Sequence, residues 1–147
     1  MASLQSILLD PSRRAQVIAD FVELVDTEVH AKGGLSGIAV KGAYAITKKV
    51  KPGIVSEVVD KLADDFAQKV DPFYQDHLKQ GKSVDLVAYF LSRASDIAQA
   101  LLSITDARAQ ASTNRTLRST YEKLRPTGVK NVEAAVPGIA KVIKKYV

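Results

Sequence analysis

The residues best placed to do chemistry lie within residues 32–55, KGGLSGIAVKGAYAITKKVKPGIV, which hold five of the chain's eight glycines. Lys41, Tyr44, Lys48 and Lys51 recur there at i, i+3, i+7 and i+10, so a helix puts all four on one face. A lysine stripe of that kind can meet an anionic surface. The glycines before it offer a second chemistry, because free backbone N–H groups at a helix N-terminus can cradle a phosphate. The plainer reading is a glycine helix stop at Gly33-Gly34, followed by a core helix with a solvated lysine face. These two functional readings and the plain one frame the binding site expected here: Lys41, Tyr44, Lys48 and Lys51 toward an anionic partner.

Other constellations carry less. Gly81-Lys82-Ser83 matches the tail of a phosphate-binding loop, but the loop's first glycine would fall at Asp76. A helix stop with Ser83 as the next N-cap fits better. Asp26 and His30 share a helix face at i, i+4, and Asp60 and Asp64 could face them, giving half of a metal site. The Glu-x-x-His pattern of di-iron bundles is missing, since Thr27 and Tyr74 stand three residues before the two histidines. No catalytic residue, metal site or cofactor is therefore expected. Ser92, Ser95, Ser103 and Thr105 sit in or beside an apolar helix, where hydroxyls usually bond backbone carbonyls. Arg108, Arg115, Arg118, Lys123, Arg125 and Lys130 have only Tyr121 interleaved among them, which argues against nucleic acid. The last helix sets Ile139, Val142, Ile143 and Tyr146 against Lys141, Lys144 and Lys145, a short basic amphipathic pattern open to a membrane surface.

The 147 residues suit one domain, 1–147, with a sizeable core. There is no cysteine, which excludes disulfides, thiolate zinc sites and cysteine nucleophiles. No apolar run approaches the ~18 residues of a bilayer span, and the N-terminus lacks the charged region of a signal peptide. A cytoplasmic protein is expected. The net charge of +5 is uneven: residues 41–51 hold four lysines and no acid, and residues 86–147 hold ten basic and four acidic side chains.

No stretch alternates with period two, so the chemistry must be positioned by helices. Residues 3–9 form a short turn or helix. Asp10-Pro11 opens a helix over 11–31 with Val17, Phe21 and Leu24 inward. Over 35–51, Leu35, Ala39, Ala43, Ile46 and Val50 are expected inward, with Gly42 at a tight helix crossing. Pro52 ends that helix. Residues 52–70 form the next, Asp71-Pro72 starts a short one to Gly81, and Ser83 caps a long apolar helix to 109. A helix with Leu117, Tyr121 and Leu124 stops at Pro126. Residues 128–147 keep their apolar phase through Pro137, predicting a kinked continuous helix. The fold class is all-α, a single-domain helical bundle of about seven or eight helices.

Three segments, ILLDPSRRAQVIADFVELVDTEV, the central 32–55 stretch, and LLSITDARAQ with YEKLRPTGVKNVEAAVPGIA, resemble a family of small uncharacterised bacterial helical proteins, a domain of unknown function. The resemblance covers nearly the whole chain and implies a soluble bacterial protein. It carries over no activity and no functional residue. The expected role is a non-enzymatic interaction or scaffolding protein that self-associates or docks on a protein partner. Peripheral binding to anionic membrane through basic helices is one alternative. A small-molecule binder or enzyme with a pocket between helices is the other.

Overall fold

The chain begins by tying itself down. In this computed structural model, which describes residues 3–31, 34–81 and 83–147 and no side chains at Leu35, Ser36 and Ala39, Ser3 caps helix α1 (Leu4–Leu8) through its hydroxyl oxygen. The Leu4 N–H then donates 2.8 Å to the Asp71 carboxylate, 67 residues away. The Asp10 carboxylate takes the Ser12 N–H, and its carbonyl takes those of Arg13 and Arg14. The Asp-Pro signal thus makes a turn, and α2 (Arg14–Ala31) begins three residues after Pro11. The rest follows as α3 (Gly34–Val50), α4 (Ile54–Gln80), α5 (Leu86–Ser92), α6 (Ala94–Ala111) and α7 (Arg115–Tyr146). These seven helices, with no strand among the described residues, are the all-α bundle that the periodicity predicts.

The core lies where α1, α2, α4, α5, α6 and α7 converge. Phe90, Ile97, Ile143, Val17, Val70, Val136, Leu4 and Leu8 are fully buried there. In α7 the buried residues Val136, Ile139, Ala140 and Ile143 follow helical spacing across Pro137, as expected. Ile139 and Ile143 of the terminal helix belong to the core, and Lys144 and Lys145 pair with Asp85 and Asp20.

Two prolines behave otherwise than expected. Asp71-Pro72 does not start a new helix, and Pro126 does not end one; both lie inside α4 and α7. A mid-helix proline removes one ladder hydrogen bond. The carbonyl left over by Pro72 is that of Gln68, an exposed residue, so water can satisfy it. The buried Ala63, Ala67, Val70 and Tyr74 run on one face through Pro72, and that packing holds α4 together. The long apolar helix expected over 83–109 is instead two helices, divided at Arg93 (φ −113°, ψ 18°). Its cap is Asp85, whose carboxylate accepts the Ala88 N–H, and not Ser83; a carboxylate is the stronger acceptor at a helix N-terminus.

The tight crossing is also elsewhere. A Cβ on Gly42 would meet nothing within 4 Å, whereas one on Gly138 would lie 2.5 Å from Leu24 Cδ1. Gly138 lets α7 close on α2. The Gly33 stop, the Leu35 and Ala39 side chains and Lys82 lie outside the described residues.

Candidate functional site

The four predicted residues do come together on α3, and the structure divides them by partner. Tyr44 is half-buried against α2, where its hydroxyl donates to Asp26 Oδ1. Lys48 reaches the same oxygen at 3.3 Å and lies 5.1 Å from the Tyr44 ring centroid, a cation over an aromatic face. Lys51 turns to Glu57 at the start of α4, at 3.1 Å, and Lys61 shares that carboxylate at 3.3 Å. Lys41 is half-buried and Lys49 exposed, and neither has an ion pair among the described residues.

The electrostatics follow. The Tyr44 hydrogen bond, reinforced by Lys48, holds Asp26 below the usual carboxylate range against the opposing effect of partial burial. Burial, then the Asp26 hydrogen bond and charge, push the Tyr44 phenol up to about 12. It stays protonated at neutral pH and serves as a fixed donor. His30, expected as half of a metal site, sends its Nδ1–H to the Asp26 main-chain carbonyl at 2.6 Å. Asp60 and Asp64 are held by Arg14, at 3.0 and 3.7 Å. No group of three metal-ligating side chains occurs among the described residues.

Because Tyr44 and Lys48 turn toward α2, the opposite side of α3 turns away. Ile38, Ile46 and Val50 are 68, 64 and 80% exposed, and Gly42 and Ala43 are exposed with them. This reverses the expectation that Ala43, Ile46 and Val50 face the core. The wheel grouped them correctly, but the polar contacts to Asp26 decide which side is in. Three large aliphatic side chains left in water on one side of a helix, with Lys49 among them, are the kind of feature that marks an interaction site.

The Tyr44–Asp26–Lys48 arrangement has counterparts that composition and periodicity did not single out. Tyr89 on α5 donates to Asp76 on α4, and Arg93, hydrogen-bonded to Asp96 at 3.0 Å, lies 3.9 Å from the Asp76 carboxylate. Tyr121 on α7 donates to Asp106 on α6, with Arg125 at 2.8 Å. Each consecutive pair α2/α3, α4/α5 and α6/α7 thus carries one clasp, a tyrosine and the base four residues on, both closing on one aspartate. Tyr146 and the lysine just before it, Lys145, also close on one aspartate, Asp20, between α7 and α2. The readable signal was Tyr-x-x-x-Lys/Arg at 44, 89 and 121, each following an aspartate by 13 to 18 residues.

A cleft of about 220 Å³ between α6 and α7 is lined by Asp106, Gln110, Arg118, Tyr121, Glu122 and Arg125, and three of these are committed to the clasp. A shallower groove of about 790 Å³ passes Pro11, Arg14, Ala15, Ile18, Ser56 and Asp60, where Arg14 is spent on Asp60. Of the helix hydroxyls, Ser92, Ser103 and Thr105 bond the carbonyls of Tyr89, Ala100 and Leu102, as expected. Arg108 leans on Asp65 at 3.9 Å and Arg125 on Asp106, so part of the basic C-terminal charge is internally matched.

No helix among the described residues is long and apolar enough to cross a membrane. No curated protein and no solved structure matches the chain. A family model described as a family of unknown function, DUF6918, matches residues 4–147, and the chain belongs to that family.

Proposed function

We propose that the protein is a non-enzymatic interaction protein of the cytoplasm and that α3 is its docking element, taking an anionic partner. The observation that carries this reading is the outward face of α3, with Ile38, Ile46 and Val50 in water beside Lys49. Burying three such aliphatic side chains is favourable by about 1.5–3 kcal/mol each at full burial. The bundle leaves that free energy unused, and a partner can collect it. The lysines supply orientation and salt-sensitive attraction.

The test compares the wild type with Ile46→Glu/Val50→Glu, both at exposed positions, in fractionated native extract. The wild type is expected in a partnered fraction, membrane-bound or of larger mass, and the variant in the monomer fraction. Identical distribution of the two proteins contradicts the reading.

A further inference from the structure

Resting on that docking reading, we infer that the partner of α3 is the surface of an anionic lipid bilayer. The outward residues suit a plane better than a groove. Ile38, Ile46 and Val50 fall within about 120° of the helix circumference, and the rise from Ile38 to Val50 is about 18 Å at 1.5 Å per residue. Gly42 and Ala43 between them raise no obstruction.

The side-chain types point the same way. Protein interfaces draw their binding energy from outward Trp, Tyr and Arg, and are depleted in lysine. The exposed side of α3 has none of the first three, and its one aromatic, Tyr44, is turned inward onto Asp26. Every charged residue from 34 to 52 is a lysine, at 41, 48, 49 and 51. Lysine stems lie along apolar surface while the ammonium stays at the wet boundary. Aliphatic side chains inserted among headgroups, with lysines at their level, are the arrangement of an interfacial helix. The acids that α3 reaches are already committed, Asp26 to Tyr44 and Lys48 and Glu57 to Lys51 and Lys61.

The experiment is co-sedimentation of the full chain with phosphatidylglycerol-rich vesicles and with pure phosphatidylcholine vesicles, at low and physiological salt. Binding is expected to the first and not the second, and to weaken with salt. Ile46→Glu/Val50→Glu should abolish it. Lys49→Glu, which breaks no ion pair among the described residues, should weaken it by about fivefold or more. Circular dichroism confirms that each variant keeps its helicity. A wild type that stays in the supernatant at low salt overturns the lipid inference. The docking reading then rests on the extract: a soluble complex lost in Ile46→Glu/Val50→Glu would reassign α3 to a protein partner. Sedimentation of both variants equal to the wild type overturns the assignment to this face.

Discussion

Tyr121 and Asp106 meet across the joint of α6 and α7, and Arg125, one turn beyond the tyrosine, closes on the same carboxylate at 2.8 Å. The arrangement explains how a bundle with no buried charged residue among those described fixes the register of its helix pairs. Apolar packing alone tolerates sliding. A phenol and a cation one helical turn apart, both bound to one aspartate, do not. Asp106→Ala would remove the acceptor that both groups share, leaving Tyr121 to Thr105 and Arg125 to Gln99, so the variant should lose on the order of 1–3 kcal/mol in urea unfolding. Tyr121→Phe should lose less, because Arg125 still holds Asp106. Equal stability of Asp106→Ala and the parent would show that the clasp does not hold the joint.

The clasps also set an acid limit. Asp106 is lowered chiefly by Arg125, and Asp20, Asp26 and Asp76 chiefly by their tyrosines. A carboxylate whose folded pKa lies below its unfolded value stabilises the fold above the unfolded value and loses that contribution as pH falls through the folded one. Stability should therefore be level above about pH 5 and fall progressively below the ordinary aspartate value of 3.8. Asp106→Asn should flatten part of that fall. Unfolding midpoints measured across the acid range decide the matter, and a decline beginning near neutrality contradicts it.

The phenols give the opposite sign at high pH. All five tyrosines are raised, Tyr44 to about 12. Stability linked to a raised group is complete below the unfolded value of 10.0 and is lost as pH rises through the folded one. Near-ultraviolet titration of the native protein should show tyrosinate forming later than in unfolded protein, and Tyr44→Phe should remove the highest-pH component. A native titration that overlays the unfolded one would contradict the clasp geometry.

Glycine and proline substitutions separate packing from propensity. Gly42→Ala should stabilise by about 0.5–1 kcal/mol, because its Cβ enters open space in a helix interior. Gly138→Leu should cost on the order of 1–3 kcal/mol through collision with Leu24. Pro126→Ala should stabilise by about 1–3 kcal/mol, since Pro126 is exposed within a continuous α7. Thermal unfolding of the three variants checks all of these. The reverse order for the two glycines would place the crossing back on α3.

These positions show what could be read from the chain. Period-3.6 apolar spacing announced the helices, and it ran unbroken through Pro137 as the structure does. The same reasoning failed at Pro72 and Pro126, where local proline geometry argued for breaks and tertiary burial on one face outweighed it. On α3 the wheel named the right two faces and assigned them the wrong way round. An apolar face normally goes inward, and only the long-range partner Asp26, eighteen residues before Tyr44, reverses it. The lysine stripe was legible as a stripe. That Tyr44, Lys48 and Lys51 are bound within the fold, and that the apolar side is the one left open, depends on contacts no local pattern contains.

Exposure of that apolar side is the premise of everything proposed for this protein, and the absence of cysteine allows it to be measured directly. Ile46→Cys and, for comparison, Ile97→Cys each introduce a single thiol, one on α3 and one in the core. The native monomer's labelling rate with a neutral thiol reagent should approach that of the unfolded chain at Cys introduced for Ile46 and be slower by orders of magnitude for Ile97. If the thiol on α3 is as protected as the one in the core, the apolar face of α3 is packed inside the bundle and the docking account is wrong.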